Sequence, residues 1–125
     1  MENMNDPAKW ERFTRALIKK TESGELEWRN FAGLTSRDQA TGQIFVAEIL
    51  PAKFVAVYRF DFRRWFDVDE YETSPEVAIE LADERGRMTW RLPEVPSRWS
   101  LIDAIEFQYA DAERTFKDFV EESDG

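Results

Sequence analysis

Apolar side chains change their spacing twice along this chain, and that change limits the folds open to it. From Phe54 to Phe62 they fall on every second residue. Phe54, Ala56, Tyr58, Phe60 and Phe62 lie on one face, and Val55 and Val57 lie on the other before it turns polar at Arg59 and Asp61. A period of two belongs to a pleated strand. Near both ends of the chain the spacing becomes three to four, the period of an amphipathic helix.

Read outwards from that strand, the elements fall into place. Asn5-Asp6-Pro7 pairs a capping side chain with proline in the first turn, and Trp10, Phe13, Leu17 and Ile18 follow at helical spacing until Gly24. This predicts a helix over about 7–22, with Arg12, Arg15, Lys19 and Lys20 on its charged face. Leu26 and Trp28 alternate with Glu25, Glu27 and Arg29, predicting a strand over about 25–31. A polar loop over Thr35–Gly42 leads to strands at about 43–50 and 53–62, joined by a turn at Pro51-Ala52-Lys53. Strands over about 76–82 and 87–92 form a hairpin around Asp83-Glu84-Arg85-Gly86, whose glycine supplies a positive φ. Arg63–Glu72 is irregular and reads equally as an extension of the third strand, a loop, or the start of the fourth. Pro93 and Pro96 close the sheet. Ser100 and Asp103 suggest a capping box for a last helix over about 100–121, with a break near Ala110 as a variant. The expectation is one α+β domain: an antiparallel meander of about five strands flanked by an N-terminal and a C-terminal helix. The two helices would cover one face of the sheet and leave the other solvated, a two-layer sandwich.

At 125 residues the chain has the size of one domain, and its 42% hydrophobic and 34% charged content is that of a globular protein. It has no cysteine and no apolar run near the roughly 20 residues of a membrane span, and its opening residues lack the features of a signal peptide. A cytoplasmic location is the expectation. The net charge of −9 disfavours direct binding to nucleic acid or to an anionic membrane and favours basic partners.

The segments Thr21-Glu22-Ser23-Gly24-Glu25-Leu26-Glu27-Trp28 and Asp83-Glu84-Arg85-Gly86, the latter followed by Trp90-Arg91-Leu92-Pro93, carry a resemblance. Over about two-thirds of the chain they resemble small, uncharacterised bacterial proteins of helix–β-meander–helix plan, of the kind carried by prophages and other mobile elements. The resemblance implies a fold and a genomic setting and transfers no active site.

Several chemistries lack their residues. Without histidine or cysteine there is no Ser-His or Cys-His nucleophile and no common zinc site. No Ser-x-x-Lys, Walker-type or Gly-x-Gly-x-x-Gly sequence occurs. Asp67-x-Asp69 suggests calcium, but an EF-hand register from Asp67 puts Glu72 where glycine is needed and Ala78 where the bidentate glutamate belongs. The reading is therefore non-enzymatic, with no cofactor and no metal.

Two surfaces are candidates instead. Trp65, Phe66, Asp67, Asp69, Glu70, Tyr71 and Glu72 would bind a protein partner with a basic surface, the aromatics as anchors and the acids as steering charge. From Trp65 to Glu84 the chain has eight acids and no base. The competing reading has these aromatics capping the core above a solvated loop. Tyr109, Phe116, Phe119 and Val120 would mediate self-association, as in a homodimer, although such a stripe more often folds over the sheet beside the first helix. The expected function is a small inhibitor, immunity or regulatory protein. The alternatives are a nucleic-acid mimic blocking a DNA- or RNA-binding protein, a self-associating structural protein, and a small ligand-binding domain.

Overall fold

The computed structural model describes residues 6–30 and 40–124. Its elements run α1 (Pro7–Glu22), β1 (Arg29–Asn30), β2 (Phe45–Leu50), β3 (Lys53–Trp65), β4 (Tyr71–Ala82), β5 (Met88–Arg91), α2 (Arg98–Tyr109) and α3 (Ala112–Asp124). The five strands form one antiparallel sheet in the order β1-β2-β3-β4-β5. The protein is thus an α+β sandwich with one helix before the meander and two after it.

Local chemistry explains most boundaries. Asp6 caps α1 by accepting the Ala8 N–H at 3.1 Å, and Pro7 fills the first position, where no donor is needed. Gly24 follows the helix at φ +82°. At the β4–β5 turn Gly86 has φ +80°, and Asp83 Oδ1 accepts the N–H groups of Arg85 and Arg87, both at 2.9 Å. The β2–β3 turn is tighter than its residues suggest, because Ala52 takes a left-handed φ of 60° that glycine would adopt more readily.

The strand expected over 25–31 is corrected. Leu26 and Trp28 are buried as their alternation implies, but only Arg29 and Asn30 pair with β2; Phe31 lies outside the described residues. The preceding backbone has other partners. Gln108 of α2 accepts the Trp28 N–H at 3.2 Å and donates to the carbonyls of Thr21 (3.0 Å) and Leu26 (2.7 Å). One amide side chain from the distant end of the sequence therefore does the work of a neighbouring strand. The loop expected over Thr35–Gly42 lies mostly outside the described residues.

The helices cover the sheet face bearing Phe45, Ala47, Val55, Val57, Val77 and Ile79. Against these pack Leu17 of α1, Leu101, Ile102 and Ile105 of α2, and Leu26, Trp28, Leu92 and Val95 from connecting segments. The expectation of one solvated sheet face does not hold. On the opposite face Ile44, Val46, Ala56, Tyr58, Phe60 and Ala78 form a second buried cluster. The aromatic stripe of β3 thus serves this second cluster, while the smaller Val55 and Val57 lie beneath the helices.

The last helix differs from expectation at both ends of its first half. It begins at Arg98, with Ser97 at the cap position making no side-chain capping bond, so the Ser100 capping box is not used. Instead the Ser97 N–H donates to Glu11 of α1 at 2.8 Å, tying the two helix starts together. After Ala110 the chain breaks at Asp111, whose φ of 51° lies in the left-handed region that aspartate tolerates better than most residues. The second half is a separate helix, α3, whose main contact is with α2. The reading that this half folds over the sheet beside α1 is overturned.

Candidate functional site

Arg63–Glu72 fulfils all three of its readings. Arg63–Trp65 extend β3, residues 66–70 turn, and Tyr71 and Glu72 open β4. Cross-strand register runs unbroken from Phe54↔Ala82 to Trp65↔Tyr71. The compact part of the molecule ends well before this hairpin does, since every residue from Asp61 to Pro75 is exposed. Five residues per arm at strand rise carry the tip roughly 17 Å past the last buried pair. Pro75 sits within this exposed stretch of β4, where a missing ladder donor is tolerated.

The tip is ordered by its own bonds. The Phe66 N–H donates to the Glu70 carbonyl at 2.9 Å, and the Asp67 carboxylate accepts the Val68 N–H at 2.7 Å. Trp65 and Tyr71, directly opposite each other, bring their rings to 4.8 Å, and the Arg63 guanidinium lies 5.0 Å from the Tyr71 ring centre. These three make a short stack on the ribbon face that continues the helix-covered side of the sheet. Phe66 (60% exposed) and Val68 (86%) occupy the turn. Trp65 is itself 56% exposed, so these aromatics do not cap the core.

The acidic character of the segment is narrower than its sequence suggests. Of the eight acids from Trp65 to Glu84, Glu76 is paired with Arg98 at 2.7 Å, which holds its carboxyl below the ordinary value, Glu80 is buried, Asp83 caps the β4–β5 turn, and Glu84 lies in that turn. Asp67, Asp69, Glu70 and Glu72 remain at the tip, with Arg64 directly across from Glu72. From Asp61 to Glu72 there are five acids against two arginines. Among the described residues no three carboxylates converge in a way that could hold a metal ion.

The second candidate set divides. Tyr109 closes α2 with its ring 5.3 Å from Phe45, edge to face, and so belongs to the domain body. Phe116 and Phe119, each 70% exposed, and the half-buried Val120 line α3. Arg59 anchors the α2 side of this region through a two-pronged contact with Glu106 (2.6 and 3.1 Å) and a contact with Asp103 (3.2 Å).

Two features escaped sequence reasoning. One is a polar cluster on the second sheet face, where the Tyr58 hydroxyl donates to Glu80 at 2.7 Å and accepts from Arg91 at 2.7 Å, while Arg91 also reaches Glu80 at 3.1 Å. Burial, reinforced by the Glu80 carboxylate, pushes the Tyr58 hydroxyl up to about 12 from its usual 10. The folded state holds that proton more tightly than the unfolded chain, so this contribution to stability is complete below pH 10 and is lost as pH rises from 10 to 12. Urea midpoints measured across that range are expected to fall, and Tyr58→Phe to fall less steeply. The other missed feature is a groove of about 780 Å³ between the start of α1, the β2–β3 turn and the β4–β5 end of the sheet. Its lining residues lie far apart in sequence, and no local pattern joins them.

No protein-family model matches this chain, and no curated protein or solved structure shows a significant match to it.

Proposed function

We propose that this protein is a non-enzymatic, acidic interaction module, a small inhibitor, immunity or regulatory protein that occupies a basic surface of another protein. The observation that carries this reading is the β3–β4 ribbon, which leaves the domain body and presents Trp65, Phe66 and Tyr71 to solvent beside Asp67, Asp69, Glu70 and Glu72. Large rings held in place by backbone bonds and by each other lose little freedom on binding, the property that makes aromatics effective anchors. The carboxylates around them accelerate encounter with a cationic surface. Occupying the partner's surface is then the mechanism, and the resemblance to mobile-element proteins is in keeping with such a role. Arg63 and Arg64 interrupt the acid array and weigh against a pure nucleic-acid mimic, whose charges would imitate a continuous run of phosphates.

The test is capture of the partner from the native host's lysate, followed by titration with purified variants. Trp65→Ala or Phe66→Ala is expected to weaken binding by about 2 kcal/mol, roughly thirtyfold, with thermal unfolding unchanged. Elution should advance as salt rises. Variants that bind as tightly as the parent chain would remove the ribbon from the interface.

A further inference from the structure

The groove beside α1 and the apolar stripe of α3 are two surfaces of the same chain whose chemistry is complementary. Phe13, Ile49, Leu50 and Leu81 make an apolar floor, with Leu50 63% exposed. Among the described residues the rim carries Lys9, Arg12 and Lys53 against one acid, Asp83, so these residues make it locally basic on a molecule of net charge −9. On α3, Phe116, Phe119 and Val120 stand at i, i+3 and i+4, and helical geometry places Glu113 on one side of that stripe, with Lys117 farther out on the same side, and Glu122 on the other. The Arg114–Asp118 pair, 3.7 Å apart, falls on the opposite side. An apolar ridge with one acid on each flank thus matches an apolar trough edged mainly by bases.

We propose that α3 of a second copy of this chain seats in the groove, with Phe116 and Phe119 on the apolar floor and Glu113 and Glu122 at the basic rim. The chain's own α3 leaves α2 at the end where Gln108 contacts Thr21, the last turn of α1. The groove lies at the other end of α1, at Lys9–Phe13, and in this chain the α3 stripe remains open to solvent. The break at Asp111 frees α3 from the line of α2, which lets it project as an arm. Reciprocal exchange of arms closes a dimer, and one-way exchange builds an open chain of subunits. This interface is separate from the ribbon tip and does not depend on it.

Sedimentation velocity of the full chain over a wide concentration range tests the proposal. Reversible association that weakens with salt is expected, and a monomer at every concentration would overturn it. Leu50→Asp in the groove and Phe119→Asp on the arm each alter an exposed side chain, so both should melt like the parent, and each should weaken association by on the order of tenfold or more. Mixed together they should form a one-to-one species that neither forms alone, because one retains an intact groove and the other an intact arm. If Leu50→Asp associates like the parent while Phe119→Asp does not, the arm pairs with something other than the groove and the assignment is wrong. Failure of the mixture to assemble would overturn it equally.

Discussion

Trp28→Ala is expected to lower the unfolding free energy by about 4 kcal/mol, within the range for deleting a buried aromatic side chain. Trp28 lies in the core shared by α1, α2 and the sheet, and its indole N–H donates to the buried Thr21 hydroxyl at 2.9 Å. Thr21 in turn donates to the Leu17 carbonyl at 2.7 Å. Alanine would therefore leave a cavity and deprive Thr21 of its donor together. In a domain this size such a loss corresponds to a fall of about 15 °C in melting temperature. Thermal unfolding followed by circular dichroism checks it against Phe119→Ala, which truncates an exposed ring and should stay within about 0.5 kcal/mol of the parent. Equal effects at the two positions would contradict the division into a packed body and an unpacked arm.

That contrast also shows where sequence reasoning reached its limit. Trp28 and Phe119 are both aromatic, and both sit in periodic patterns. Periodicity reports which side chains share a face, and it does not report whether another layer covers that face. Thus the alternation of Leu26 and Trp28 identified two buried positions correctly, while the partner of their backbone was Gln108, some eighty residues away. The Asp83–Gly86 hairpin was fully legible because its determinants are local: a side-chain acceptor, a glycine and two alternating strands. The stripe on β3 was equally visible, but nothing within β3 says which of its faces meets the helices. The ribbon was partly legible, since Arg63–Glu72 broke the pattern. Its reach past the core depends on where the neighbouring strands stop, because β2 pairs with β3 only as far as Val57 and β5 pairs with β4 only at Glu80–Ala82. The charge count misled for the same reason, because Arg98 and Arg91, the partners of Glu76 and Glu80, lie beyond the acid-rich stretch.

Glu80 provides the other large effect. It is 2% exposed on the second sheet face, paired directly with Ala56 on one side and Arg91 on the other, with the Tyr58 hydroxyl against its carboxylate. A carboxylate in that setting is tolerable only because donors surround it. Glu80→Ala is expected to cost about 3 kcal/mol in urea unfolding, combining the lost charge-assisted bonds with a Tyr58 O–H deprived of its Glu80 acceptor. Arg91 contributes less to that loss, because half of its side chain already reaches solvent. Tyr58→Phe alone should cost about 1 kcal/mol, since Arg91 still serves the carboxylate. Glu80→Met combined with Tyr58→Phe removes both buried polar groups and restores apolar volume, so it should be clearly more stable than Glu80→Ala. If Glu80→Ala matched the parent chain, the cluster would contribute nothing to holding the second face together. If the double variant were instead the least stable of the three, the polar cluster would be contributing packing that methionine and phenylalanine cannot replace.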